Sequence, residues 1–266
     1  MTTARRESAF VIVATGLLAE AQIAARSANV STVVSGGNPS HLARRIEAAI
    51  AGGGRAILSF GIAGGLSEGL RPGSCLVGSE VVHAGKLYRA DAAWTGRLAK
   101  RLTILTLKRF QLRSRSQAAR TEMQRGGYEA RSGDPAECGQ ALHRIAGVDW
   151  PVSSPCDKRA LHAATGASAA DMESHIGADL AVRHGLPFAM VRVIADPVSR
   201  EIPQAALIAM RSDGAMNAIA SLRAIARDPA QIPALMRIAV DTSRAMLQLL
   251  RCVKAIGPGL GFFERG

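Results

Sequence analysis

The stretch GASAADMESHIGADLAVRHG, residues 166–185, joins a run of small apolar residues to a helical pattern, with Asp171 and Glu173 at the junction. Acidic residues suit the first turn of a helix, where the macrodipole favours negative charge. That explains the backbone there without requiring any chemistry. The other reading sends Glu173 into a cavity, where it holds a substrate. Either way, a short buried strand feeding a helix points to a sheet covered by helices.

The rest of the chain extends that pattern. Apolar β-rich runs at 10–15, 30–34, 56–61, 74–82, 148–153, 167–171 and 188–195 read as strands. Ala-rich periodic segments at 17–28, 39–52, 91–102, 156–164, 173–185, 204–211, 214–227 and 230–254 read as helices. This alternation predicts an α/β fold: one domain over residues 1–266, with a three-layer, twisted mixed β-sheet flanked by helices. The N-terminal MTTARRESAFVIVATGLLAEA also has the look of a signal peptide, but the apolar run is short and β-branched and soon meets Glu20. A first strand over Phe10–Thr15 is the preferred reading. No run of eighteen apolar residues suggests a spanning helix.

Composition narrows the function classes. The 266 residues are 48% hydrophobic and only 4% aromatic, which disfavours stacking platforms for single-stranded nucleic acid. Lys and Arg total 33 against 21 acidic residues, a net charge of +12 that suits an anionic partner. Ten of those cations fall in residues 97–131, a segment that overlaps a basic insertion expected at about 103–146. A solvated loop and a patch for anionic lipid or nucleic acid are both readings of it. Cys75, Cys138, Cys156 and Cys252 show no CxxC spacing and read as reduced cytosolic thiols. Neither a metal nor a cofactor is expected.

Several acidic residues sit where chemistry is done in α/β folds. Asp196 ends the Val/Ile-rich strand of PFAMVRVIADPVSREIP, at the carboxyl edge where ligands bind open sheets, although Asp before Pro is also a common turn. Glu20 lies one helical turn past Gly16, facing the same crevice if the sheet is parallel. In ILSFGIAGGLSEGLRPGS a strand ends at Gly61, and the Ala63-Gly64-Gly65 backbone is free to pass close to a ligand or simply to turn. His83 and His175 are candidates to line a site, although a lone His is more often structural.

Taken in order, strand-Gly-x-x-x-Glu, GIAGGL with Pro-Gly-Ser after it, DMES and PFAMVRVIAD resemble the nucleoside phosphorylase/nucleosidase superfamily. Within it they look most like the methylthioadenosine/S-adenosylhomocysteine nucleosidases. SFGIAGGL, TGASAADMESH and GLPFAMVRVIADP are most similar to the bacterial hopanoid-associated nucleosidases, also labelled phosphorylases. That subfamily is assigned the conversion of adenosylhopane to ribosylhopane with release of adenine.

The resemblance covers residues 10–95 and 148–250. It implies a purine nucleoside phosphorylase-like fold, a homodimer, and roles for single residues. Asp196 matches the acid that protonates the purine N7, and Glu20 matches the carboxylate that orients the attacking water. Glu173 matches the acceptor of the ribose hydroxyls, with Met172 against the sugar face. Each role has a chemical reason: a poor leaving group needs a proton, and an oxocarbenium-like sugar needs negative charge nearby. Asp171 is left as a capping residue.

Two departures favour water over phosphate as nucleophile. Ile62 stands where related nucleosidases carry a serine, whose phosphorylase counterpart contacts phosphate. The N-terminal region also lacks the Gly-Asp-Pro-x-Arg phosphate turn. No aromatic residue falls near 154–157 to stack the base. The expected substrate is a small-molecule or lipid-linked adenosyl compound. A lipid-linked one would suit a cytoplasmic enzyme whose basic face, with Arg237, Arg244, Arg251, Lys254 and Phe262-Phe263, touches an anionic inner membrane. Nucleic acid is the disfavoured partner.

Overall fold

A computed structural model describes residues 9–105, 142–203, 206–207 and 229–263. Eight strands form one sheet: β1 (Phe10–Thr15), β2 (Val30–Val34), β3 (Gly54–Gly65), β4 (Cys75–His83), β5 (Lys86–Arg89), β6 (Leu142–Gly147), β7 (Ala169–Asp171) and β8 (Phe188–Asp196). Helices are α1 (Leu18–Ala24), α2 (Pro39–Ala51), α3 (92–105), α4 (Pro155–Thr165), α5 (Ser174–His184) and α6 (Ile232–Ile256). Strands β2, β1, β3 and β8 run parallel, while β4 runs antiparallel to β8. β4, β6 and β7 are parallel to one another, and β7 returns antiparallel to β3. The flanked mixed sheet therefore curls, and β3, β8, β4, β6 and β7 close a ring.

Alternation along the central strands builds two layers of core. Val11, Val13, Leu58, Phe60, Val191 and Val193 face α1, α3 and α6, where Trp94, Leu98, Leu249 and Cys252 pack. Ile12, Ile57, Met190 and Ile194 face α2 and α5. Arg192 falls on that second face between Met190 and Ile194, fully buried in an apolar layer.

Four sequence expectations need correction. The strand placed at 148–153 is β6, six residues earlier, because Pro151 has no N–H to give a ladder and 148–153 forms the following loop. That strand takes residues 142–146 out of the anticipated insertion, and α3 claims 103–105; residues 106–141 lie outside the described residues, as do almost all of the helices expected at 204–211 and 214–227. β5, an edge hairpin partner of β4, was not anticipated. Finally, β3 does not stop at Gly61. It runs to Gly65, pairing first with β8 and then with β7.

Candidate active site

The site begins at the turn after β1. Glu20 lies in the first turn of α1 and reaches back, so that its Oε2 accepts the amides of Gly16 and Leu17 at 2.8 Å each. This is half of a capping box; Leu17 at the N-cap has no side-chain acceptor to complete it. Its Oε1 accepts the Ile62 amide from β3 at 2.7 Å. Burial raises its pKa above the ordinary value, against the pull of three amides and Arg192. The position of Ile62 in the motif is thus used through its backbone, to hold Glu20.

Glu173 opens α5 and is also buried. Its Oε1 accepts the Ser35 hydroxyl at 2.9 Å, and Oε2 lies 3.7 Å from the Arg192 guanidinium. Burial pushes its pKa up to about 7; Arg192 lowers it, while Asp171 and Glu20 raise it. Two glycines admit these carboxylates. A Cβ on Gly16 would lie 2.8 Å from Glu173 Oε1, and one on Gly61 would lie 2.6 Å from Glu20 Oε1.

Asp171 caps α5 as expected, its Oδ1 accepting the amides of Glu173 and Ser174 at 3.0 and 2.7 Å. It does more than that. Its Oδ2 accepts Arg192 Nε at 2.7 Å, a pair fully removed from water. Arg192 also donates to Ser59 and Ser174. One guanidinium therefore serves three carboxylates, pairing directly with Asp171 and offsetting part of the charge of Glu173 and Glu20. A charge inside the run AMVRVIAD was the available signal: a buried Arg needs a buried carboxylate.

Asp196 ends β8, beside a β-bulge in which Ala195 and Asp196 together oppose Gly64. Such bulges re-aim side chains. The carboxylate lies over Gly64, whose added Cβ would sit 3.3 Å from Asp196 Oδ2. Lys158 of α4, fully buried, places Nζ 2.5 Å from that oxygen and also donates to the Pro197 and Arg200 carbonyls. Burial raises the Asp196 pKa, outweighing Lys158 and Arg200. Lys158 gave no sequence signal, because its neighbours Asp157 and Arg159 make the helix read as solvated.

The remaining candidates divide. Gly64 and Gly65 are strand residues packed against Asp196, not an open ligand-cradling loop. The Ala63 side chain is buried in the core layer beneath. Met172 is half-buried beside Glu173. His83 and His175 meet each other, their rings stacked at 4.1 Å.

Comparisons place this geometry among known folds. No curated protein matches the chain. Among solved structures, futalosine hydrolase of Helicobacter pylori is similar at 14% identity and a TM-score of 0.59, covering 92% of this chain and 96% of that one. The 5′-methylthioadenosine/S-adenosyl homocysteine nucleosidase of the same organism gives 15%, 0.57, 92% and 96%. The MTA/SAH nucleosidase of Streptococcus pneumoniae gives 13%, 0.55, 92% and 99%. At these identities the likeness is one of fold. The Phosphorylase superfamily profile matches residues 13–227, most of the chain, and the protein belongs to that superfamily.

Proposed function

We propose that the protein hydrolyses the N-glycosidic bond of an adenosyl compound and releases adenine. The observation that supports this reading is three carboxyls with raised pKa values on neighbouring strand ends: Glu20 over Gly61 and Asp196 over Gly64 of β3, and Glu173 against Gly16 after β1 and close enough to Glu20 to feel its charge. Asp196 gives a proton to the purine N7, turning a poor leaving group into neutral adenine. Glu20 orients a water toward the anomeric carbon. Glu173 accepts the ribose hydroxyls, and its charge stabilises the sugar as it becomes cationic. Met172, half-buried beside Glu173, lies against the sugar in this scheme, while Ala63, Gly64 and Gly65 act through the β3 backbone over which Asp196 lies.

Water rather than phosphate is the nucleophile in this scheme, because the pocket charge is dominated by carboxylates, and Arg192 is already engaged by Asp171. The similar structures are named for futalosine and for methylthioadenosine and S-adenosylhomocysteine. Those names leave the 5′ group of this protein's substrate to its own features.

An apolar, membrane-resident group is our choice, with adenosylhopane as substrate and ribosylhopane as product. It is supported by α6, whose exposed face carries Ile232, Met236, Val240 and Leu247 beside a row of Arg237, Arg244 and Arg251. An apolar stripe edged by arginine suits the surface of an anionic bilayer. No helix among the described residues is long and apolar enough to cross a membrane. A homodimer and a cytoplasmic site of action remain part of the proposal.

The test is adenine release from a panel of 5′-substituted adenosines, with and without phosphate. Release without phosphate, fastest for a bulky apolar 5′ group, is the expected result. A ribose 1-phosphate-type product that forms only with phosphate would replace hydrolysis by phosphorolysis.

A further inference from the structure

Outside the carboxylate pocket, the ends of β4 and β6 and the first turn of α5 bring together His83, Asp149 and His175. One potential ligand atom from each lies within 4.8 Å of the others. Protein partners serve His175 poorly. Its side chain is 8% exposed, its Nδ1 has no hydrogen-bond partner among the described residues, and its Nε2 lies 3.4 Å from Asp149 Oδ1. That distance is long for a hydrogen bond. It does match the spacing of about 3.4 Å between neighbouring ligand atoms on a tetrahedral zinc with bonds of about 2.1 Å. Buried polar atoms left in this state call for an explanation.

The surroundings are those of a ligand set. His83 Nδ1 is 2.9 Å from the Gly147 carbonyl, the kind of contact that fixes the tautomer and ring orientation of a metal-binding histidine. The His83 ring stacks almost parallel on His175, at an interplanar angle of 19°, so one ring must turn before both lone pairs can meet on one ion. Gly147 is required there, because a Cβ would meet His175 Cβ at 2.5 Å. The cluster opens on a cavity of about 460 Å³ walled by Val148, Trp150, Val152 and Leu161. An incoming group or a water can therefore take the position that the protein leaves free.

We propose that His83, Asp149 and His175 form a binding site for a divalent transition-metal cation of the zinc class. Two imidazoles and one carboxylate favour zinc and its neighbours over magnesium or calcium, which prefer all-oxygen sites. The three groups arrive from separate elements, β4, the loop after β6, and α5, so a bound cation ties that loop to the sheet. Closing the set to a spacing of about 3.4 Å needs ligand atoms that lie within 4.8 Å of one another to approach by no more than about 1.4 Å.

The experiment uses the full-length protein after dialysis against a chelator. Cobalt(II) serves as the spectroscopic probe and zinc as the competitor. The expected result is one cobalt per chain with ligand-field absorption in the visible and no thiolate charge transfer, displaced by zinc. In the same sample, cobalt should broaden the ring resonances of two histidines. D149N and H83Q should each weaken cobalt binding by at least about 10-fold. The Asp149 side chain is 56% exposed, so D149N is the variant least able to disturb folding. Absence of cobalt binding by the unaltered protein overturns the proposal. So does binding that both variants leave unchanged, or that broadens no histidine resonance.

Discussion

Lys158 and Asp196 form a close ion pair, Nζ to Oδ2 at 2.5 Å, where β8 ends and the chain turns at Pro197. The lysine is fully buried and lowers the pKa of the carboxyl that the proposed reaction needs protonated. K158M removes that influence, so the Asp196 pKa rises further. The alkaline limb of the pH profile of kcat/KM should move up by about one unit, within the usual range for losing a neighbouring charge. K158R keeps the charge and should leave the limb near its original place. An unmoved limb in K158M would separate Lys158 from the acid.

Gly61 carries a second prediction. A Cβ there would lie 2.6 Å from Glu20 Oε1 and 2.8 Å from Arg192 Nη1, so G61A must displace both groups. Misplacing a reacting group by about 1 Å can cost about 100-fold in rate, which is the loss expected in kcat. At Gly64 the nearest atom is 3.3 Å away, and G64A should lose far less. Steady-state kinetics of the two variants side by side would show equal losses if the Glu20 contact were irrelevant.

Stability should depend on pH with a definite sign. Glu20 and Asp196 both have folded pKa values raised above their ordinary 4.5 and 3.8. The folded state therefore holds protons more tightly than the unfolded chain. Their favourable contribution is complete below those ordinary values and is lost as pH rises through the raised ones. The Tm should fall on going from mildly acidic to neutral buffer, and the fall should shrink in E20Q and D196N. A Tm that climbs over this range, equally in all three proteins, would contradict the burial argument.

The α6 face predicts a surface effect without a folding effect. Met236 is 65% exposed and Arg237 and Arg251 are exposed, so M236E and R237E/R251E should leave the Tm close to that of the parent. At roughly 1 kcal/mol per basic residue near an anionic surface, R237E/R251E should lose at least 10-fold in affinity for phosphatidylglycerol-containing vesicles. Co-sedimentation at low and high salt measures this. If both variants bind vesicles like the parent, α6 is not the docking face.

Much of this could be read from residues, for physical reasons that also explain the failures. The parallel strands β1 and β8 are buried on both faces, and the edge strand β2 is half-buried; the Val/Ile runs of all three announced them within a residue of their ends. The placement of Glu20, Glu173 and Asp196 was legible because each sits at or just past a strand end, where the chain order of the motifs puts it. β6 was not, since LHRIAG is only half apolar and the Val and Trp of the loop after it make a louder pattern. β7 lies inside the strand read at 167–171 but keeps only three residues, its length set by its neighbours rather than by propensity. The ring closure depends on β3 continuing through three glycines, which reads locally as a turn. Arg192 and Lys158 were missed because their partners, Asp171 and Asp196, lie 21 and 38 residues away, beyond any local pattern.

The central claim is that Asp196 protonates the leaving purine while Glu173 holds the ribose. It is tested most directly by adenine release from a 5′-substituted adenosine in phosphate-free buffer, comparing the unaltered protein with D196N and E173Q. Folding of each is checked by circular dichroism. The unaltered protein should release adenine, and each variant should be slower by at least about 100-fold while remaining folded, as expected for loss of a general acid or of a transition-state contact. Full activity in folded D196N would contradict the account.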